Sequence, residues 1–212
     1  MQIIDLSHQI ETGMPVYPGT EPPVIETPVT IEADGFLEKK LTLFSHTGTH
    51  VDAPAHIIPG AMTLDRLGID RFIGPAFIID VSNRNDSVIK KEMLIPLAEK
   101  LRKTDFVLFY SGWSSFWGNQ KYFIKYPVLS EEAAHWICQF ELKGIGVDMC
   151  SFDPVDSTEL PVHHVLLRRG FILIENLTNL ADLPEKSFTF SCLPLKIESS
   201  DGAPTRAVAI LS

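Results

Sequence analysis

Residues 45–56 read Ser-His-Thr-Gly-Thr-His-Val-Asp-Ala-Pro-Ala-His, which puts His46, His50, Asp52 and His56 in one short window. The chain has seven histidines, and three of them are here. No regular element brings these groups to one point. On a helix His46 and His50 share a face, but Asp52 lies about 200° around from His50 at roughly 3.6 residues per turn. On a strand all the even-numbered residues share a face, yet His46 and His50 then stand about 13 Å apart at roughly 3.3 Å per residue. His50 and Asp52 can meet at one point from extended chain, and His46 joins them only if the backbone curls. Gly48 sits where the curl is needed and tolerates positive φ. Pro54 pushes Ala53 towards extended geometry and so fixes how His56 is presented. The fold must therefore hold a bend at Gly48 inside an otherwise extended segment.

Neutral imidazoles and a carboxylate at this density are the ligand set of a borderline divalent cation. Packed interiors seldom gather such polarity without something to satisfy it. Three ligands from the window leave a metal unsaturated. Glu175 ends the apolar run Phe171-Ile-Leu-Ile and is hard to bury unpaired. His163 or His164 precedes that run on a predicted helix, where neighbours point about 100° apart, so one of the two faces the site. A carboxylate such as Asp52 or Glu175 can bridge two ions, which makes a two-metal centre possible.

The rest of the chain predicts an α/β domain with a mixed sheet, spanning residues 1–212 without a linker or repeat. Four apolar runs end in a polar residue: Phe77–Asp80, Phe106–Tyr110, Ile145–Asp148 and Phe171–Glu175. Runs without alternation suit strands buried on both faces. Helices are expected at Leu94–Lys103, with Pro96 in the first turn, at Ser130–Leu142, and at Pro161–Arg169 with Gly170 as its stop. Ser130 can cap the second of these, with Glu131 and Glu132 at its positive end. The first sixty residues are rich in Pro, Gly and Thr. There Pro28–Glu32 and Lys40–Phe44 read as short strands, as do Phe188–Ser191 and Ala207–Ile210 near the C-terminus.

A net charge of −9 without a basic cluster argues against a nucleic-acid partner. No apolar run reaches the length of a membrane span, and the N-terminus lacks the basic and apolar regions of a signal peptide. Cys138, Cys150 and Cys192 are odd in number and far apart, so disulfides are not expected and the cytoplasm is the expected compartment. Cys150 has no identifiable base and is not expected to be a nucleophile. No Gly-x-Ser-x-Gly elbow is present for a serine hydrolase. His8 and His135 read as structural, and Asp148 and Asp153 as strand ends that lie either near the site or away from it.

The window resembles the His-x-Gly-Thr-His-x-Asp-x-Pro-x-His signature of the cyclase family of metal-dependent hydrolases, whose bacterial members include kynurenine formamidases (arylformamidases). The resemblance extends to Pro15-Val-Tyr-Pro-Gly19, to Gly146-Val-Asp148 with Ser151 and Asp153, to Glu175–Leu180, to Leu193–Lys196 and to Asp201–Arg206. It implies a swivelling β/β/α fold, a homodimer or higher homo-oligomer, and divalent metal, zinc or manganese, as two ions per subunit. It implies that His46 and His50 hold the first ion and that Asp52 and Glu175 bridge both. His163 would hold the second, because its twelve-residue spacing to Glu175 matches the family better than that of His164. His56 is implied as the proton shuttle and Tyr17 as a substrate-binding residue. Tyr17 stands where formamidases usually place tryptophan, Met149-Cys150 where Thr-Pro is usual, and Ser199-Ser200 where paired glycines are common. These departures leave the ligand set intact and bear on the substrate.

The implied reaction is hydrolysis of N-formyl-L-kynurenine, a small aryl amide, to L-kynurenine and formate by attack of metal-bound hydroxide, with His56 passing a proton to the leaving nitrogen. Tyr17, Phe44 and Trp113, in that order, are expected to form an aromatic pocket. The alternatives are hydrolysis of a cyclic amide or lactone such as isatin, and a non-catalytic metal-binding protein.

Overall fold

The computed structural model describes residues 1–83 and 87–211. The strands are β1 (Gln2–Asp5), β2 (Val24–Val29), β3 (Glu38–Thr42), β4 (His50–Asp52), β5 (Ile73–Asp80), β6 (Val88–Ile89) and β7 (Phe106–Tyr110). They continue with β8 (Val128–Leu129), β9 (Gly144–Val147), β10 (Ile172–Glu175), β11 (Phe188–Ser191), β12 (Gly202–Pro204) and β13 (Val208–Leu211). The α-helices are α1 (Ile31–Asp34), α2 (Lys91–Leu94), α3 (Ala98–Leu101), α4 (Glu131–Ile137) and α5 (Pro161–Arg168). None of the described helices is long and apolar enough to cross a membrane.

One mixed sheet runs β1-β13-β11-β5-β7-β9-β10-β4-β12. Its centre, β5-β7-β9-β10, is parallel, with antiparallel strands on both flanks. The central strands are apolar without alternation because each face meets a core. Val107 and Phe109 pack with Leu166 and Ile137 on the helical side. Phe106 and Leu108 pack with Phe190, Val51 and Ala209 on the other. The second core draws on both ends of the sheet because the sheet curls. A bridge from Ser7 to Leu177 and a bond from Thr178 N–H to Leu6 O (3.0 Å) close the curl.

Four expected elements differ most in extent. The helix expected from Ser130 begins as anticipated, with Ser130 Oγ accepting from Ala133 N–H at 3.1 Å, but it ends at Ile137 rather than Leu142. Phe140 and Leu142 are both buried, and the chain leaves the helix to place them. The helix expected at Leu94–Lys103 is two short helices, α2 and α3, separated by a 3₁₀ turn at Ile95–Leu97. Pro96 lacks the N–H and clashes with the preceding turn, which breaks the run. The strand expected at Pro28–Glu32 ends at Val29, and Thr30 instead caps α1 through Ala33 N–H. In the other expected strand of this region, Lys40–Phe44, β3 stops at Thr42.

The topology then sets the site. Strand β4 lies between β10 and β12, so His50 faces Glu175 on one side and Pro204 on the other. Asp52 faces Leu173 and Gly202 in the same way. Helix α5 delivers its first turn beside the end of β10.

Candidate metal centre and its cavity

His50 and Asp52 project from the same side of β4 and are 2% and 1% exposed. Gly48 has φ +64°, and a Cβ there would stand 3.2 Å from Met14 Cε. That bend returns His46 to the strand, with Nδ1 2.8 Å from Asp52 Oδ1. His46 also needs Gly202, where a Cβ would lie 2.6 Å from its Cε1. His46, His50 and Asp52 bring their donor atoms within 4.8 Å of one another, as do Asp52, His163 and Glu175. Asp52 is thus common to both groups. Glu175 belongs to the second, with Oε1 3.3 Å from His163 Nε2 and Oε2 3.5 Å from His50 Nε2.

Each imidazole is oriented by its other nitrogen. His50 Nδ1 sits 2.8 Å from Gly48 O, which leaves Nε2 facing the carboxylates. His46 Nε2 sits 2.8 Å from Asp201 Oδ2, which leaves Nδ1. His163 Nδ1 lies 2.6 Å from Asp153 Oδ2, which leaves Nε2. Asp153 also accepts the N–H groups of Val162 and His163 at 3.0 Å, so it ties the start of α5 to the site. Outer partners of this kind fix the ring tautomer of metal-ligating histidines.

The donor set fits divalent ions. Asp52 Oδ1 and Glu175 Oε1 are buried and accept no hydrogen bond. Yet His46 Nδ1 and His50 Nε2 lie 2.8 and 3.2 Å from that Asp52 oxygen. The distances suit hydrogen bonds and the alignment does not. Atoms bound to one zinc-like ion at about 2.0–2.2 Å stand about 3–4 Å apart and point at the ion rather than at each other. The carboxylates also draw positive charge. Burial depresses the pKa of His163, but the Asp153 carboxylate against its Nδ1 and the Glu175 carboxylate beside its Nε2 outweigh it and lift it to about 10. His46 reaches about 10 against the same burial cost, through Asp52 and Asp201. Burial disfavours the Asp52 carboxylate, and the two histidines beside it still hold its pKa well below the usual range.

His56 closes a third cluster with His46 and Asp201. Its Nδ1 is 3.1 Å from Asp201 Oδ2. The short 3₁₀ turn Pro54–His56 presents it, after Ala53 in extended geometry. Asp201 is one site residue to which sequence reasoning assigned no role. It heads the Asp201–Arg206 segment of the family resemblance, more than a hundred residues from the window, and nothing local marks it as a partner of the histidines.

A cavity of about 490 Å³ opens over these groups, and His46, His50, His56, His163 and Glu175 lie along it. Tyr17, Trp117, Tyr122 and Phe123 supply its aromatic surface. Two expected aromatic residues are elsewhere. Phe44 is 53% exposed, two residues beyond the end of β3 and outside the cavity. Trp113 packs edge-on against Phe116 at 5.1 Å and donates Nε1–H to Tyr122 O, which holds it behind the wall. Trp117 takes the wall position, stacked on the His8 ring at 3.8 Å. Burial lowers the pKa of His8 to about 4, so that ring backs Trp117 as a neutral plane.

Asn176 was also missed. It is buried at φ +57°, accepts from Tyr122 O–H through Oδ1 at 2.7 Å, and donates Nδ2–H to Gly48 O at 2.9 Å. Asp148 accepts from Ser111 and Trp113 N–H groups and lies outside the metal groups. Cys150 lines the cavity, but burial pushes its thiol up to about 12, which removes it as a nucleophile. His164 points the other way, into a groove with His135 and Cys138.

A family model described as "Putative cyclase" matches residues 4–154. A kynurenine formamidase of Bacillus cytotoxicus is 34% identical over 210 residues, covering 97% of this chain and 95% of that protein. A solved structure titled as a "predicted metal-dependent hydrolase" from Bacillus stearothermophilus superposes with a TM-score of 0.82 at 29% identity, covering 98% of this chain and 97% of the other. Isatin hydrolase A from Ralstonia solanacearum shares the fold, with a TM-score of 0.87 at 24% identity over 100% of this chain and 92% of its own.

Proposed function

Because the chain belongs to the cyclase family, we propose that it is a metal-dependent amide hydrolase that cleaves N-formyl-L-kynurenine to L-kynurenine and formate. The observation that carries this reading is the pair of buried, unbonded carboxylate oxygens, ringed by oriented imidazoles at the base of an aromatic cavity. In this reading His46, His50 and Asp52 would hold one ion, and Asp52, His163 and Glu175 would hold a second, as zinc or manganese. Divalent ions at such a site supply a nucleophile from water at neutral pH and a Lewis acid for the carbonyl.

The chain's own residues do the remainder. Tyr17 and Trp117 flank the aryl ring. His56 lends its Nε2 to the cavity, because Asp201 engages Nδ1. An arylamine leaves poorly as an anion, and His56 is placed to take a proton from the attacking water and return it to the departing nitrogen. The same clamp on Asp201 holds His46 and His56 in register, with the two rings 4.1 Å apart.

We place the enzyme in tryptophan catabolism on the strength of that substrate, and in the cytoplasm, which three unpaired cysteines support. We also propose a homodimer or higher homo-oligomer. The β2-β3 hairpin supports this, since Val24, Ile31, Phe36, Leu37 and Leu41 are all exposed along it and an isolated hairpin is barely stable in water. The test is elemental analysis of the purified protein coupled to turnover of N-formylkynurenine before and after chelation. Two equivalents of metal with activity lost on chelation and restored on reloading is the expected result. Isatin in the same panel separates a cyclic-amide hydrolase, and no hydrolysis by fully metallated protein overturns the enzymatic reading.

A further inference from the structure

We propose that His8 is a positioning residue: its ring holds Trp117 as the cavity wall and fixes that wall to the loop that presents His50. The inference deepens the reading in which Trp117 flanks the substrate ring, and rests on it. No helix or strand contains Trp117. It follows the 3₁₀ turn Trp113–Phe116 with φ −52° and ψ 130°, and Gly118 after it has φ +84°. An indole on such a connection keeps its plane only through what packs on it. The His8 ring covers one face, with centroids 3.8 Å apart and planes 6° from parallel. Tyr122 meets the indole edge-on at 5.1 Å.

His8 is itself anchored to the site through its backbone. Its N–H donates to Thr49 Oγ1 at 2.9 Å, and that hydroxyl donates to Asn176 O. Thr49 lies between the bend at Gly48 and His50, so one short path runs from the ligand loop to the indole. The neighbouring Ser7 bridges Leu177 and holds the same segment just beyond the end of β10.

What His8 contributes is a plane. Its Nε2 is buried and has no hydrogen-bond partner among the described residues, so that nitrogen does not hold the ring in place. Burial lowers its pKa to about 4 and keeps the ring neutral, so no cation–π attraction adds to the stack. The ring also lines a separate surface groove with Ser7, Gln9 and Arg206. The two stacked rings therefore stand between that groove and the metal cavity. A smaller side chain at position 8 leaves the indole free to turn away from a bound aryl ring.

The test measures kcat and KM of metal-loaded His8→Ala, His8→Asn and His8→Phe with N-formyl-L-kynurenine, beside the metal content of each. His8→Ala and His8→Asn are expected to raise KM about 3–10-fold with kcat within about twofold, the size of a lost aromatic pair and the pattern of lost uniform binding. His8→Phe keeps the plane without the nitrogens and is expected to hold KM within about twofold of the parent. Trp117→Ala raises KM as well, and adding His8→Ala to it is expected to change KM no further, because the two rings act as one. Metal content equal to the parent in every variant is part of the expected result. The proposal is overturned by an unchanged KM in His8→Ala, by a KM in His8→Phe as high as in His8→Ala, by additive effects in the double variant, or by a KM change that follows loss of metal. If the parent protein turns over isatin and no aryl formamide, the formamidase reading fails, and the same comparison is made with isatin, whose fused ring meets the same wall. Turnover of neither overturns both.

Discussion

The Tyr122→Phe substitution removes one oxygen atom and tests how the ligand loop is held. Tyr122 is fully buried, and its hydroxyl donates to Asn176 Oδ1 at 2.7 Å. Phenylalanine keeps the ring edge-on against Trp117, at 5.1 Å between centroids, so the cavity wall is preserved. What changes is Asn176 Oδ1, left buried without a donor, at a cost of about 1–3 kcal/mol. For a chain of this size each kcal/mol moves Tm by about 2–4 °C, so a cost of about 2 kcal/mol lowers the midpoint by about 4–8 °C. The effect reaches the metal through one further bond. Asn176 Nδ2 donates to Gly48 O, the same carbonyl that orients His50 Nδ1, and Asn176 O accepts from Thr49 Oγ1. A loosened Asn176 frees the bend that presents His50. Removing an outer partner of a metal ligand costs about 10–100-fold in affinity, and a loss near the lower end is expected here. Thermal melts of chelated protein and zinc competition against a chromophoric chelator read the two effects separately. A lowered midpoint with unchanged zinc affinity would refute the link from Tyr122 to the ligand loop. An unchanged midpoint would show that Asn176 finds another donor.

Four further outcomes are expected. His56→Ala keeps its metal and loses about 10²–10⁴-fold in kcat, as for removal of a general acid–base; loss of metal in elemental analysis would make His56 a ligand instead. Gly202→Ala drives a methyl group into His46, 2.6 Å from its Cε1, and is expected to lower metal content by one ion per chain with His163 and Glu175 still loaded; full metal content would contradict the placement of His46. Metal loading near neutral pH is expected to release about two protons, because His46 and His163 sit at about 10 without a metal and must be neutral to ligate. Calorimetry in buffers of different ionisation enthalpy measures that release. The sign for stability follows: both folded-state values exceed the ordinary 6.5, so the metal-free protein holds this stabilisation below about 6.5 and loses it as pH rises to about 10. A metal-free midpoint that rises over that interval would count against the raised values.

What could be read from the sequence followed local rules. The bend at Gly48 was legible because two ligand-spaced histidines on extended chain demand it, and only glycine adopts φ +64° there without strain. The central strands were legible from apolar runs that make sense only between two cores. The helix after Ser130 was legible at its start, where capping is local, and not at its end, where burial of Phe140 and Leu142 decides. Asp201, Asn176 and Trp117 were not legible as site residues because each acts through a pairing across the fold. Asp201 precedes β12, whose register on β4 sets its loop beside His46 and His56. Trp117 and Trp113 are chemically equivalent four residues apart, and only the 3₁₀ turn at Trp113–Phe116 decides which one faces the cavity.

The register of β4 ties the fold to the chemistry. That strand is three residues long and contributes few apolar contacts, with Val51 alone between two buried polar residues. Slipping it by one residue on β10 would turn His50 and Asp52 into the core and Val51 into the cleft. Nothing in the apolar packing of so short a strand forbids that strongly. The polar groups do, because Asp52, Glu175 and His163 converge only when His50 faces Glu175. Convergence without a cation leaves buried carboxylate oxygens unbonded, so on the proposed reading a bound metal would also select the register that forms its site. The histidine window therefore specifies the edge of the sheet as much as it specifies a reaction.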